Sequence, residues 1–275
     1  MSSNTVSCLR LAVVRHRIET RGRFLLVVVA IPVVMALLGS WAYQEMRADV
    51  AKGTPKAMTF SPELREFVTE LNPVKFATLS ATDLLYKPYF SIGMVLVGLI
   101  TWHVVGMTFS EGIHKYFLLG GSSRTRTAVN TGCVLLLLVA EFVGLVLLVN
   151  LLVGVAGFAG ASGSITGGEL AAAIGLYSTA ILPLMNYSLL IAVLARLHLP
   201  SIPLLVAALV LPIPLGVLDT MTASKFCTPW GSLAFFSGVP EFTPVLATAL
   251  VVEAGWLLVL ASGFWILSAR EQISG

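Results

Sequence analysis

Six apolar stretches of this chain are each close to the length that a helix needs to cross a lipid bilayer. A hydrocarbon core about 30 Å thick takes roughly 20 helical residues. The stretches are Phe24–Tyr43, Tyr89–Phe109, Val129–Val153, Leu170–Ala195, Ser201–Leu218 and Thr243–Leu267. Only 11% of the 275 residues are charged, whereas a soluble domain has about 25%, so the excess apolar surface must face lipid. We therefore predict one all-α, polytopic membrane domain with six transmembrane helices, residues 1–275.

The fifth stretch is the weakest of the six because it is short and contains Pro203, Pro212 and Pro214. A proline has no backbone N–H and leaves the carbonyl four residues earlier without its helical donor. Inside a membrane such a carbonyl must find a donor on a neighbouring helix. We predict that this helix is kinked and packed inside the bundle.

Basic residues indicate which side of the membrane the chain ends occupy. Five arginines precede the first stretch, and with this end inside, the inner segments hold ten of the 17 Lys and Arg residues. Cytoplasmic segments are the ones enriched in these residues. We expect a multi-pass plasma (inner) membrane protein with both termini cytoplasmic and residues 1–23 as a cytoplasmic or interfacial segment. The first stretch is too long for a signal peptide and ends at Trp41-Ala42-Tyr43, so we expect it to be retained.

The largest polar segment, residues 44–88, is then an external loop. Within it, Ser61-Pro62-Glu63 combines a helix N-cap, a first-turn proline and a first-turn acid. One apolar helical face follows at i, i+3, i+4 and i+7: Leu64, Phe67, Val68 and Leu71. We predict a short amphipathic helix on the outer membrane surface or over the bundle. The alternative is a small packing element without a direct role.

A glycine-rich run leads out of the third stretch, from Gly154 to Gly168. Glycines at short intervals could let two helices approach closely. A flexible turn is the interpretation that we favour for this run.

Two carboxylates stand inside otherwise apolar stretches. Glu141 lies about twelve residues into the third span and Glu253 about ten into the sixth, which places them roughly 18 Å and 15 Å from opposite faces. Both are therefore expected near the middle of the membrane. An ionised carboxylate there is costly unless it is paired, protonated or wetted, and no Lys or Arg lies within any of the six stretches.

These two carboxylates have two interpretations. In the functional one they line a polar path for a cationic or hydrogen-bond-donating substrate, together with Asn186, Tyr187 and His103. In the structural one, a protonated glutamate bonds a neighbouring helix through Tyr177, Asn186 or Tyr187, and His103 is a packing residue.

Motifs for enzymatic chemistry are missing from the chain. No GxxxxGK[ST] loop, Rossmann fingerprint or haem-attachment motif occurs, and the cysteines and histidines show no metal-site spacing. A GxSG tetrad at Gly160–Gly163 resembles the serine motif of rhomboid proteases, which also need a histidine as base. The only later histidine, His198, falls on the opposite side of the membrane. We predict that the chain itself is not an enzyme and carries no metal.

The inner loop between the second and third spans, residues 110–127, has a helical apolar face followed by a break. Ile113, Phe117 and Gly120 fall near one face, and Arg124 and Arg126 follow a glycine–serine stretch. The pattern predicts a short helix parallel to the membrane that meets a cytoplasmic partner. The alternative is an interfacial hairpin whose arginines lie at the lipid headgroups.

The order of residues in this loop resembles that of type-2 permeases of ATP-binding cassette exporters. Phe109-Ser110-Glu111-Gly112, then Leu118-Leu119, then Ser122-Ser123-Arg124 follow the family's Glu-Gly stretch, leucine-rich turn and step into span three. The chain departs from the family where a serine replaces the proline before the arginine. The six-span layout and the basic N-terminal segment agree with the same family.

The resemblance implies that the loop is a coupling helix which fits a separate ATPase subunit, with Glu111, Gly112, Phe117 and Arg124 as coupling residues. It implies two permease chains, identical or different, and two ATPase chains in each transporter. ATP and Mg would be bound by the partner subunit, so no cofactor is expected on this chain. The expected partners are the ATPase, a second permease and membrane lipid, with no nucleic acid. The expected substrate is amphiphilic: a drug, an antimicrobial peptide or a lipid.

Two other functions compete with this one. The chain could be an ion- or proton-coupled secondary transporter that uses Glu141 and Glu253, although no inverted repeat is visible. It could also be a non-transporting scaffold that recruits an envelope enzyme through residues 44–88.

Overall fold

A computed structural model describes residues 23–85, 91–106, 123–158, 165–197, 199–214, 217 and 244–270. These residues form helices joined by short turns, and no strand occurs among them. The helices are α1 (Arg23–Lys52), α2 (Pro55–Met58), α3 (Pro62–Thr69), α4 (Pro73–Leu85), α5 (Ile92–Thr101, continued by a π-helical turn over Trp102–Gly106), α6 (Arg124–Phe158), α7 (Gly167–Arg196), α8 (Ser201–Val210) and α9 (Pro244–Arg270).

Four of these helices are long and apolar enough to cross a membrane: the segments Val29–Lys52, Thr125–Phe158, Gly167–Arg196 and Thr248–Ala269. Two shorter apolar helices, Ile92–Gly106 and Ser201–Pro214, fall on the second and fifth predicted spans. The chain is thus all-helical over the described residues and has the character of a membrane protein. Each of the six predicted spans contains an apolar helix, and the number of crossings stays a prediction.

Helix α7 lies at the centre of the bundle and packs against α4, α5, α6, α8 and α9. In the apolar part of α7, 61% of the residues are buried, compared with 17% in α1 and in α9. Residues 183–189 of α7 are all buried, so this part of the helix is surrounded by neighbours and can position polar groups inside the protein. Helices α1 and α9 lie at the periphery and expose large apolar side chains, among them Trp41, Val251 and Leu258.

The predicted external segment contains more structure than the sequence indicates. Helix α3 begins as expected: Ser61 is its N-cap, and the Ser61 Oγ atom accepts a hydrogen bond from the Leu64 N–H at 3.2 Å. Val68 and Leu71 of the expected apolar face have no exposed surface. Helix α4 follows, which the sequence did not predict, and it packs along α6 and α7.

The first glycines of the glycine-rich run are sites of close helix contact, contrary to the flexible turn that we favoured. Gly154 and Gly157 lie within α6. A Cβ atom at Gly154 would lie 2.7 Å from the Pro73 carbonyl oxygen, and one at Gly157 would lie 2.5 Å from the Ser40 Oγ atom. Their missing side chains allow α4 and α1 to approach α6. Residues 159–164 of the run lie outside the described residues.

Candidate functional site

Three consecutive polar residues of α7 lie in the interior of the bundle: Asn186, Tyr187 and Ser188, each with 0% exposed surface. Successive residues of an α-helix point about 100° apart. The three side chains therefore reach three different neighbouring helices, α9, α8 and α5. We call these three residues and their partners the polar cluster.

Asn186 connects α7 to α9. Its Nδ2 atom donates a hydrogen bond to the carboxyl Oε2 of Glu253 at 2.5 Å and another to the backbone carbonyl of Glu253 at 3.0 Å. The Glu253 side chain has no exposed surface. The Oδ1 atom of Asn186 is also buried and has no hydrogen-bond partner.

Tyr187 connects α7 to α8. Its hydroxyl donates a hydrogen bond to the backbone carbonyl of Ala208 at 2.8 Å. Pro212 stands four residues after Ala208 and has no N–H, so this carbonyl lacks its helical donor. The tyrosine hydroxyl takes the place of that donor, as required for a proline inside an apolar bundle.

The same point brings α5 close to α8. A Cβ atom at Gly98 of α5 would lie 2.7 Å from the Ala208 oxygen and 3.0 Å from the Tyr187 Cε1 atom. No side chain fits between these groups. Gly98 is therefore the residue that lets the Ala208 carbonyl of α8 and the tyrosine ring lie against α5.

Ser188 completes the cluster by connecting α7 to α5. Its Oγ atom lies 2.5 Å from Thr101 Oγ1 in a hydrogen bond between two hydroxyls, and both residues have no exposed surface. Thr101 Oγ1 also lies 2.9 Å from the Val97 carbonyl oxygen, to which it can donate. The α-helical part of α5 ends at Thr101, one residue before the π-helical turn.

The π-helical turn Trp102–Gly106 rests on the start of α8. The indole Nε1 of Trp102 donates to the Ser201 carbonyl at 2.9 Å, and a Cβ at Gly106 would lie 3.1 Å from the Trp102 ring. His103, a predicted candidate, lies in this turn and is half-buried. Short π-helical turns interrupt the regular hydrogen-bond ladder and occur often at functional sites.

Glu141 does not join the polar cluster. It lies midway between the two ends of α6, and its side chain is exposed on the surface of the chain, whereas Glu253 is fully buried. The structure thus places these two carboxyl groups in different surroundings and brings Glu253, Asn186 and Tyr187 together. Glu111, Gly112 and Phe117 lie outside the described residues, and for Arg124 only its position at the start of α6 is described.

A second buried network joins α4, α6 and α7, and the sequence did not predict it. The Tyr177 hydroxyl donates to the Ala77 carbonyl at 2.8 Å and accepts from the Asn150 Nδ2 atom at 3.0 Å. Ser80 Oγ donates to Asn150 Oδ1 at 2.7 Å. Asn150, an amide inside a predicted span, is the signal that could have been used, because a buried amide in a membrane must be hydrogen-bonded.

A third contact joins the first turns of α4 and α7. Asn72 Oδ1 accepts from the N–H groups of Val74 and Lys75, which caps α4, while its Nδ2 atom donates to Glu169 Oε2 at 3.1 Å. The same Glu169 oxygen accepts from the Thr166 N–H in a capping box at the start of α7. The two helix starts are thereby held together by one amide and one carboxylate.

The chemistry available at the polar cluster is that of hydrogen bonding and proton binding. Among the described residues no group of three or more His, Cys, Asp or Glu side chains could hold a metal ion. The cluster presents one carboxyl group, one amide and three hydroxyls, all inside the helical bundle.

Helical content and apolar composition together define the class of protein, an all-α membrane protein. No family model matches the chain, and no curated protein matches it.

Proposed function

We propose that this chain is the membrane permease subunit of an ATP-binding cassette exporter of the type-2 kind. The observation that carries the proposal is the pair of interrupted helices, α5 with its π-helical turn and α8 with Pro212 just beyond its end. They pack against each other and against the central helix α7. A permease must offer access to one side of the membrane and then to the other. Interrupted helices whose backbone groups are satisfied by neighbours are the elements that can change their packing at a membrane midplane.

Six crossings with both ends in the cytoplasm are part of this proposal. The apolar residues of α5 and α8 cover Ile92–Gly106 and Ser201–Pro214, and the apolar sequence continues beyond each helix toward Phe109 and Leu218. Ten of the 17 basic residues then lie on the inner side, as expected for a protein of the plasma membrane. The described part of the proposed external loop, residues 44–85 with helices α3 and α4, then lies on the outer side of the bundle.

Coupling to an ATPase is supported by the connection between the inner loop and α6. The loop residues Glu111, Gly112 and Phe117 precede Arg124, at which α6 begins. Helix α6 has 35 residues, about 52 Å at 1.5 Å per residue, and it packs against α1, α4, α7 and α9. A displacement of the loop would be carried by this stiff helix to most of the bundle.

The ATPase is proposed to be a separate polypeptide that binds ATP and Mg, because the chain has no GxxxxGK[ST] loop. A second permease chain completes the transporter. The substrate is an amphiphilic molecule, for which exposed Glu141 and the large apolar surfaces of α1 and α9 offer a lipid-side approach. The chain itself performs no catalytic step in this scheme.

Co-purification tests the proposal. The tagged chain is extracted from its native membrane in a mild detergent, and the proteins that accompany it are identified by mass spectrometry. A stoichiometric soluble subunit with a P-loop is expected with the wild type and is expected to be lost with Glu111→Lys. Glu66→Lys, the same charge change at an exposed position of α3, is the matched control and should retain the subunit. If no P-loop protein accompanies the wild type, the proposal is wrong.

The burial of Glu253 favours a second candidate, an ion- or proton-coupled secondary transporter. A carboxyl group without exposed surface inside an apolar bundle is a usual element of such proteins. This candidate predicts transport without any ATPase subunit and a requirement for an ion gradient. Transport by the purified chain alone in liposomes would favour it over the exporter.

A further inference from the structure

The orientation of the Asn186 amide is fixed by two hydrogen bonds to one residue. Its Nδ2 atom donates to both the side chain and the backbone carbonyl of Glu253. Its Oδ1 atom therefore points elsewhere, and it is buried without a hydrogen-bond partner. A buried acceptor that lacks a donor is unfavourable, so the site is suited to a ligand that donates a hydrogen bond.

We propose that Glu253 and Asn186 form a proton-binding site. The Glu253 carboxylate takes one proton from a hydronium ion and becomes a neutral carboxylic acid, and a water molecule is left behind. On release the O–H bond of the acid breaks and the proton returns to water. Asn186 Oδ1 accepts a hydrogen bond from the water or hydronium that carries the proton, while Nδ2 holds the carboxyl group in place.

A proton suits this site better than a larger cation does. Both side chains have 0% exposed surface, and the described residues contain no cluster of three or more His, Cys, Asp or Glu side chains. A calcium ion needs six to eight oxygen ligands and magnesium needs six in an octahedron. One carboxyl group and one amide oxygen supply too few ligands for either ion.

The other titratable groups on the helices that pack against α9 have different roles. On α7 the hydroxyls of Tyr177 and Tyr187 donate to the carbonyls of Ala77 and Ala208. Arg196 lies over the Phe264 ring at 5.5 Å, eleven residues along α9 from Glu253 and so about 16 Å away along the helix. The remaining groups on α6 and α7 are Cys133, Glu141 and Glu169 and the basic residues Arg124 and Arg126 at the start of α6.

Proton binding at this site would be coupled to helix packing. A charged carboxylate in an apolar interior is unfavourable unless it is hydrogen-bonded or wetted, and the Asn186 amide joins it to the central helix. Loss of the proton therefore favours entry of water between α7 and α9, and uptake of the proton favours the close contact seen here. The inference rests on the proposed placement of α7 and α9 within a membrane, and it does not depend on the identity of the energy source.

Infrared spectroscopy of the purified full chain in lipid nanodiscs tests the proton site. Spectra recorded across a pH series reveal the C=O stretch of protonated carboxyl groups, which shifts in heavy water. The wild-type minus Glu253→Gln difference spectrum should contain a carboxyl band that disappears as the pH rises, because the other Asp and Glu side chains contribute equally to both spectra. Glu253→Gln, which is nearly isosteric and can still accept from Asn186, should lose this band. Glu141→Gln, the matched change at the exposed carboxyl group, should retain it.

Asn186→Leu provides a second and independent measurement. It removes the amide that binds the carboxyl group but keeps Glu253, so the band should stay and shift in frequency. If circular dichroism shows that Glu253→Gln does not fold, Asn186→Leu still provides a test of the proton site. The proposal is wrong if the difference spectrum between the wild type and Glu253→Gln contains no carboxyl band that changes with pH, or if Asn186→Leu leaves the frequency of that band unchanged. None of these spectra requires an ATPase subunit, so failure of the proton site can be distinguished from failure of the exporter proposal, which co-purification tests.

Discussion

The hydroxyl of Tyr187 on α7 donates a hydrogen bond to the carbonyl of Ala208 on α8, 2.8 Å away. This carbonyl is the one that Pro212 deprives of its helical donor. The interruption of α8 is thus stabilised by the central helix, at the level where Asn186 and Ser188 bind α9 and α5. Any rearrangement of α8 must break or replace this bond.

Substitution of Tyr187 by phenylalanine should destabilise the protein because the Ala208 carbonyl would be buried without a donor. The expected loss in the free energy of unfolding is about 1–3 kcal/mol, measured by titration with a denaturing detergent. Adding Pro212→Ala should recover much of the loss, because alanine restores an N–H that can donate to the Ala208 carbonyl. Equal stability of the wild type and Tyr187→Phe would show that this hydrogen bond contributes little to the free energy of unfolding.

Gly98→Ala should be more damaging than a glycine-to-alanine change elsewhere in a helix. The added Cβ atom would lie 2.7 Å from the Ala208 oxygen, a backbone atom that cannot move without α8. Overpacking of this kind costs about 1–3 kcal/mol. At Gly175 of α7, a Cβ meets nothing within 4 Å, so Gly175→Ala is the matched control and should be neutral or stabilising by up to about 1 kcal/mol. Similar thermal stabilities for the two variants would contradict the close packing of α5 on α8.

Asn72→Ala should loosen the start of α4 and its attachment to α7. The change removes the side-chain cap for Val74 and Lys75 and the bond to Glu169. A lost cap costs about 0.5–2 kcal/mol, and hydrogen–deuterium exchange should rise over residues 73–85 while the core of α7 stays protected. Unchanged exchange in α4 would mean that apolar packing alone holds this helix.

Arg124→Glu tests the proposed coupling between the inner loop and the bundle. We expect the assembled transporter to keep hydrolysing ATP while its transport falls to background, because α6 begins at this residue and would no longer follow the ATPase. Arg126→Glu, two residues further along α6 and exposed, is the comparison and should have the smaller effect. If Arg124→Glu transports as well as the wild type, Arg124 is not a coupling residue.

The apolar pattern was sufficient to predict the helical class and the six helix-containing stretches. It also predicted the N-cap at Ser61 and the need of the carbonyl before Pro212 for a donor on a neighbouring helix. These features depend on local sequence: apolar length, capping chemistry and the missing N–H of proline. The prediction that this proline-containing helix is packed inside the bundle was wrong, because only Leu204 and Ala208 of α8 are buried and Ile202 and Val206 are exposed. Helix α4 was not predicted, because Val74, Phe76 and Ala77 are all buried and such a helix shows no clear apolar face.

The different positions of Glu141 and Glu253 could not be predicted from the sequence. Both are single acids in apolar helices, and an apolar helix gives little indication of which face meets protein and which meets lipid. Their burial depends on the neighbours of α6 and α9, which only the tertiary structure provides. Asn186 was a candidate partner for the buried carboxyl group because few polar residues occur in the fourth span, whereas Thr101 and Ser188 gave no signal beyond being short hydroxyl residues.

Uptake of a fluorescent cationic amphiphile into inside-out vesicles from the native membrane tests the central claim most directly. Uptake is compared with and without ATP, and with and without an ionophore that collapses ion gradients, against vesicles that lack the chain. The exporter account predicts chain-dependent uptake that requires ATP and continues after the gradients are collapsed. Chain-dependent uptake that needs no ATP and stops with the ionophore would contradict it, and would make the chain a transporter driven by an ion gradient.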